Sequence, residues 1–489
     1  MGDQRRFLHT SVILILIEVG TRVLGLIVFA LVARFLGPAE VGLYALALAL
    51  ATLFVIPSRF GFERLVQRDI PRDPTLSYSY FKEISALKGI LSLGSLAVFA
   101  VVMLAFAKPD FPVLLLVACF VFLYSFLELA TALFRAIRRP ALELAVRGVF
   151  SLINLILGSL ILVAGGGLSG FVATQVVSVL AALFLASVIV ERVAVKVPYS
   201  LRWSSLRRHA VAASPLAGTL VAMYIGGQSG TLFLSLLAER EEVGYYVAAS
   251  RLFDNFALLP VAVTGAFLPV ISQLHGVSVG RFVRTLRSTL KYLFVLSAPL
   301  ALGTFILAHP LAELLYGQAF ARAVPALQIL SASLTLSFWT HAGDSVLIAC
   351  NRERCLLVLN WTSAVVRSVG SLVLIPSLSY LGPCVAVLLS ETTHALVLFT
   401  ALRRYFDART LFDLIRMPTL CVAAMGLVIY GLREWSLWVT VPLGTATYAA
   451  ALFWSGAVPK TEVEQFRHMI RGRFRPLAGA TPPEQGDPG

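Results

Sequence analysis

Four places in this chain set ionisable side chains in the middle of apolar runs. Glu18 and Arg22 stand four residues apart, on one face of a helix. Arg251 and Asp254 stand three apart, roughly one turn, Arg367 lies near the middle of its own run, and Glu391 and His394 share another. Inside a bilayer such groups are costly, so they face a bundle interior or a water-filled cavity and mark function. Arginine offers a planar fork of donors and a permanent charge, which suits phosphate oxygens. Arg22, Arg251 and Arg367 are therefore substrate-binding candidates, and the chemistry is recognition of a polyanion. Glu18, Asp254, Glu391 and His394 are candidates for balancing those charges, or for taking up a proton or sodium ion. A plainer reading stands beside this one. Glu18–Arg22 and Arg251–Asp254 then neutralise each other along their own helices, and His394 is a packed core histidine.

Long apolar helices must position these groups. The chain has 489 residues, of which 58% are hydrophobic and 13% charged, and its mean hydropathy of +0.85 excludes an ordinary soluble domain. Apolar runs of about 20 residues recur from end to end, each long enough to cross a hydrocarbon core of roughly 30 Å. We read an all-α polytopic membrane protein with about fourteen spans. They cover 11–34, 42–60, 84–107, 112–134, 143–164, 168–190 and 211–237, then 243–271, 288–308, 325–349, 357–377, 382–402, 415–432 and 436–456. Inside the seventh, Gly226, Gly227 and Gly230 weaken the helix. They form either a hinge or a place of close helix packing.

The chain repeats itself. Glu40-Val41-Gly42-Leu43-Tyr44 matches Glu242-Val243-Gly244-Tyr245-Tyr246 at an offset of 202 residues, and each copy opens a hydrophobic run. Two halves of one membrane protein follow, with residues 1–205 as the first, 206–405 as the second, 406–457 as a C-terminal helix pair and 458–489 as a tail. With the N-terminus in the cytoplasm, 31 of the 40 basic residues fall on inner loops and tails and 5 on outer ends. That bias fixes the orientation, with both termini cytoplasmic. It also explains the net charge of +14 as a topology signal facing anionic lipid, with no nucleic acid as partner.

Several functions are excluded or left without a signature. There is no Walker motif for an ATPase, no long outer loop to house a catalytic domain, and no acid-rich loop for a metal-dependent transferase, so the expectation is that the protein is not an enzyme. The five cysteines form no CxxC pair, and most sit in or at the end of apolar runs as small hydrophobes. No metal site is expected.

Three motifs carry a resemblance. Arg34-Phe35-Leu36-Gly37-Pro38-Ala39-Glu40-Val41-Gly42-Leu43-Tyr44 resembles the first outer turn of the polysaccharide-transporter flippases of the multidrug/oligosaccharidyl-lipid/polysaccharide exporter (MOP) superfamily. Val243-Gly244-Tyr245-Tyr246 through Arg251-Leu252 to Leu268-Pro269 resembles their eighth helix. Leu315-Tyr316-Gly317 and Ala326-Leu327-Gln328-Ile329-Leu330 are similar to the outer approach to their tenth. The resemblance implies two pseudo-symmetric six-helix lobes in a V around a cationic cavity. That cavity admits the phosphate–sugar head of a lipid-linked oligosaccharide, which alternating access moves outward. Carried onto this chain, it adds Arg59 on the second helix to Arg22 and Arg251 as cavity candidates.

Two positions depart from the family pattern. Arg59 stands before Phe60-Gly61 where relatives often have an acid, and Gln228-Ser229-Gly230 stands where many have an aspartate followed by a basic residue. No ion-coupling role is carried onto them. The implied function is flipping of a polyprenyl-diphosphate-linked oligosaccharide from the cytoplasmic to the outer leaflet of a bacterial cytoplasmic membrane, for surface or exopolysaccharide assembly. Its partners would be the lipid-linked glycan, membrane lipids and other polysaccharide-assembly membrane proteins. It would use no cofactor, and H+ or Na+ coupling would drive it. Rival readings are a drug/cation antiporter of the same superfamily, a lipid II flippase, and a membrane polysaccharide polymerase or ligase.

Overall fold

A computed structural model describes residues 2–73, 77–106, 108–193, 203–257, 259–261, 263–264, 271, 278–350, 352–403 and 408–456, with no strand among them. The expected tail 458–489 and the Leu268-Pro269 end of the eighth span lie outside the described residues. Helix α1 (Gly2–Phe54) turns sharply at Gly37, whose φ of 79° and ψ of 178° belong to a region that glycine alone enters readily. Pro38 then opens the second arm, where its missing N–H and fixed φ are tolerated. The second expected span ends earlier than residue 60. The helix stops at Phe54, and Ile56–Arg59 forms a separate turn, α2, closed by left-handed Phe60 and Gly61.

The remaining helices overlap the expected runs, except for two short ones at 62–69 and 308–316. They are α3 (Phe62–Asp69), α4 (Ser77–Phe106), α5 (Phe111–Ala136), α6 (Pro140–Val163), α7 (Gly167–Val193), α8 (Trp203–Leu237) and α9 (Arg240–Phe256). After them come α10 (Val279–Ile306), α11 (Ala308–Tyr316), α12 (Val324–Ala349), α13 (Glu353–Leu378), α14 (Leu381–Leu402), α15 (Ala408–Gly431) and α16 (Leu437–Trp454). Eleven helices among the described residues are long and apolar enough to cross a membrane, with the two arms of α1 counted as one. The short helix α11 is an element the hydropathy pattern gave no reason to expect.

Helices α1 and α4–α7 pack on one another, and α8–α10 and α12–α14 form a second group. The α15–α16 pair leans on α10, where the Tyr448 hydroxyl donates to the Val295 carbonyl at 2.7 Å. The two groups meet where α1 runs along α9 and α8 runs along α3 and α4.

Lipid tails are as apolar as leucine, so the hydrophobic effect does little to drive this contact; close approach of backbones does more. The repeated motif supplies that approach. A Cβ on Gly42 would strike the carbonyl of Arg240, and a Cβ on Gly244 would strike the carbonyl of Pro38. Pro38 and Arg240 are themselves 202 residues apart, so the contact is made the same way twice. The apolar core runs across it without a break, from Phe29 and Val32 to Tyr245, Ala249 and Tyr316. At this end Arg240 also pairs with Asp110, and Arg34 donates to the carbonyls of Leu314 and Leu315.

The opposite end is tied differently. His209 on α8 meets Glu83 on α4 at 2.7 Å, and both are buried. The ring of Tyr80 lies edge-on to His209 at 4.4 Å, and its hydroxyl donates to Asp69 at 2.5 Å. A hydrogen bond from Arg68, at 2.7 Å, holds the Asp69 carboxyl below the usual carboxylate range.

Candidate functional site

Three of the four arginines picked out from the sequence come together between the two helix groups. Nη1 of Arg22 donates to the backbone carbonyl of Asp254 across the interface at 2.9 Å, while its Nε holds Glu18 at 3.0 Å. The Arg251 guanidinium stands over the ring of Phe29, 5.5 Å from its centroid, a cation–π contact from α9 to α1. Arg367 lies within electrostatic reach of the Tyr246 hydroxyl. The Asp254 carboxylate lies within electrostatic reach of Arg22, Arg251 and Arg367 alike.

Depth follows from helix rise. Arg22 is 15 residues from Gly37, Arg251 is 11 from Arg240, and Arg367 is 11 from Leu378. At about 1.5 Å per residue, all three lie roughly 16–22 Å from the Gly37 end, near the middle of a bilayer. Even so, the side chains of Arg22 and Glu18 are 37% and 36% exposed, and Arg251 and Asp254 are exposed too. These polar side chains thus stand open at mid-span, between the two helix groups. Three arginines stand there with three carboxylates, Glu18, Asp254 and Glu391, and the Nε of Arg367 is buried without a hydrogen-bond partner, an unusual state for a donor in a finished network.

Arg59 is placed elsewhere. It pairs with Glu128 on α5, donates to the Tyr224 hydroxyl on α8, and sits 5.5 Å from the centroid of that ring. Beside it Lys88 is fully buried against Glu63 at 2.9 Å. Lys88 lies inside α4. Arg59 thus ties α2 to α8, and its Nε also lacks a partner.

The second helix group holds another polar cluster. His394 Nε2 lies 3.0 Å from Asp344 Oδ1, and its Nδ1 lies 3.0 Å from Ser363 Oγ. Glu391 accepts a hydrogen bond from Thr340 at 2.9 Å and stands within reach of Arg367. The glycines of α8 lie in a helix that runs unbroken from Trp203 to Leu237. A Cβ on Gly226 would press on Ala364 at 3.1 Å, and one on Gly230 would meet the Tyr246 hydroxyl at 2.8 Å, whereas Gly227 has nothing within 4 Å. Gly226 and Gly230 therefore make room for α13 and α9.

Sequence reasoning missed Tyr224 and Tyr246, because a tyrosine in an apolar run carries no mark of its role. Glu128 and Asp344 find partners that no helical spacing encodes, Arg59 and His394. A groove of about 530 Å³ between Phe54, Pro57, Ile90 and Gly94 is apolar and separate from the charged space.

This architecture is that of the transporters of the MOP superfamily. The likeness extends over 94% of this chain and 100% of MurJ, a lipid II flippase in an inward closed conformation, with a TM-score of 0.71 at 15% identity. It extends over 80% of this chain and 93% of an inward-facing multidrug resistance MATE family transporter, with a TM-score of 0.57 at 15% identity. A MOP superfamily transporter from Pyrococcus furiosus gives a TM-score of 0.55 at 15% identity, over 82% of this chain and 96% of its own. The sequence profile of the polysaccharide biosynthesis protein family matches residues 7–275, and the chain belongs to that family. No curated protein matches it in sequence.

Proposed function

We propose that this protein is a flippase that moves a polyprenyl-diphosphate-linked oligosaccharide from the cytoplasmic to the outer leaflet of a bacterial cytoplasmic membrane. The observation that carries this reading is the placement of Arg22 and Arg251 at mid-span between the two helix groups, Arg22 bonded across the interface to the backbone carbonyl of Asp254 at 2.9 Å and Arg251 set over the ring of Phe29. Their guanidinium forks suit a diphosphate. Repeat-built transporters place their substrates at this depth.

In this reading residues 1–205 and 206–405 are the two lobes, and their termini and the Arg59 end face the cytoplasm. The Gly42–Gly244 contact closes the outer end. Arg59 and Glu128 then line the cytoplasmic half of the path. Gly227, with open space around it, is the point at which α8 bends as the lobes rock. An ion gradient drives the cycle, and other membrane proteins of polysaccharide assembly receive the product. The protein makes and breaks no covalent bond.

A second reading, flipping of lipid II, draws support from the likeness of fold to MurJ. A drug/cation antiporter suits the site less well, because an acid-dominated cavity would be expected for cationic cargo. The deciding experiment labels lipid-linked glycans in cells deleted for the gene and asks which leaflet holds them. Glycan trapped on the cytoplasmic side with surface polymer lost is the expected result. Trapped lipid II with arrest of growth selects the second reading, and normal glycan with raised drug sensitivity overturns both.

A further inference from the structure

His394 is held from both sides by different helices. Asp344 reaches it from α12 and Ser363 from α13, each at 3.0 Å. In the neutral ring Nε2–H donates to the carboxylate and Nδ1 accepts from the serine hydroxyl. A hydroxyl can reverse, so when Nδ1 gains a proton it donates to Ser363 Oγ instead and the ring keeps both partners. The site satisfies either protonation state without moving. Its two members are unequally buried, His394 at 8% exposed and Asp344 at 28%, so the carboxylate is the side open to water. A direct 3.0 Å contact leaves no room for a cation between them. Among the described residues no group of three or more His, Cys, Asp or Glu could hold a metal ion.

The surroundings lead from this pair to the arginines. Glu391 stands one turn before His394 on α14 and is within reach of Arg367 on α13, which in turn is within reach of Asp254 on α9. His341, one turn before Asp344, is occupied by the carbonyl of Ser337 at 2.8 Å. On the other flank of α12, α10 carries Arg287 and Lys291, and the Val221–Leu237 stretch of α8 carries no charged residue.

We propose that Asp344 and His394 form a proton-binding site whose occupancy is linked, through Glu391 and Arg367, to polyanion binding at the interlobe arginines. The proposal rests on the flippase reading for its ligand. A proton on His394 adds positive charge to the lobe that carries Arg367, and so strengthens the hold on a diphosphate. By reciprocity a bound diphosphate strengthens the hold on the proton.

The test uses the full chain in lipid nanodiscs, with wild type, Asp344→Asn and His394→Gln compared after size exclusion has verified folding. The first readout is the nitrogen NMR titration of labelled histidines. One resonance should be absent in His394→Gln and should titrate at lower pH in Asp344→Asn. The second is affinity for geranylgeranyl diphosphate at low and high pH. Its own titration is common to all three proteins, so the ratio of affinities isolates the protein's contribution. That ratio should favour low pH more in wild type than in either variant. An unmoved titration in Asp344→Asn, equal ratios in all three proteins, or the same effect produced by sodium in place of protons overturns the proposal. Failure of wild type to bind the diphosphate at any pH would instead overturn the polyanion reading, while the histidine titration still reports on the proton site.

Discussion

Gly42 and Gly244 each stand where the other's repeat brings a carbonyl, that of Arg240 against Gly42 and that of Pro38 against Gly244. No residue with a Cβ fits either place without shifting a backbone. Gly42→Ala and Gly244→Ala should each lower the unfolding midpoint in detergent, at a cost of about 1–3 kcal/mol, as for overpacking elsewhere. The double variant should lose less than the sum, since either change already opens the same junction. Full additivity would show that the two contacts are independent.

Charge at the interlobe space should decide transport. Arg251→Glu puts a third acid beside Asp254 and Glu18, and should remove about 2–5 kcal/mol of polyanion binding, enough to abolish flipping, while the protein still inserts. Arg251→Lys keeps the charge, loses the fork, and should fall between the two. Leaflet labelling in cells checks both, and wild-type activity in Arg251→Glu would remove the arginines from the substrate path.

The Arg59–Glu128 pair should behave as a half-buried ion pair, its side chains being 17% and 28% exposed. Arg59→Ala leaves Glu128 unpaired and should cost about 1–3 kcal/mol, whereas Arg59→Met with Glu128→Leu should recover much of that loss. The folded fraction by fluorescence-detected size exclusion distinguishes them. Equal losses in the single and the double variant would mean that the pair does not matter to folding.

One stretch of α8 offers a contrast between neighbours. Gly227→Ala meets open space and should stabilise the helix by up to about 1 kcal/mol. Gly230→Ala drives a methyl into the Tyr246 hydroxyl and Pro383 and should destabilise it. If α8 bends at Gly227 during transport, the first variant is more stable and slower. A faster or unchanged flipping rate would place the bending elsewhere.

Most of the long helices were legible because apolar period and length report directly on a bilayer, whereas several of their ends were not. Arg22, Arg251 and Arg367 were legible for the same reason, since a charge in an apolar run has few explanations. Which acid each arginine meets was not legible. Arg22 was assigned Glu18 by spacing, which is right, but its bond across the interface goes to a backbone carbonyl, and any residue supplies one. Arg59 was grouped with the others by family likeness and lies instead with Glu128 and Tyr224. Only tertiary packing brings those residues together, and no local pattern encodes it. The kink at Gly37 divides two expected spans, yet α2 and its left-handed closure at Phe60 were hidden inside an apolar run.

The crossing at Gly42 and Gly244 has a geometric consequence for the whole molecule. A patch that meets its own copy is the mark of a twofold dimer interface, and here both copies belong to one chain. An axis passes between the two glycines, and a half turn about it exchanges Pro38 with Arg240 and α1's second arm with α9. Both copies leave the junction toward the same end of the bundle, so that axis runs along the helices rather than across them. The protein is, at this point, a homodimer with its protomers fused, in which each half serves as its partner's binding surface.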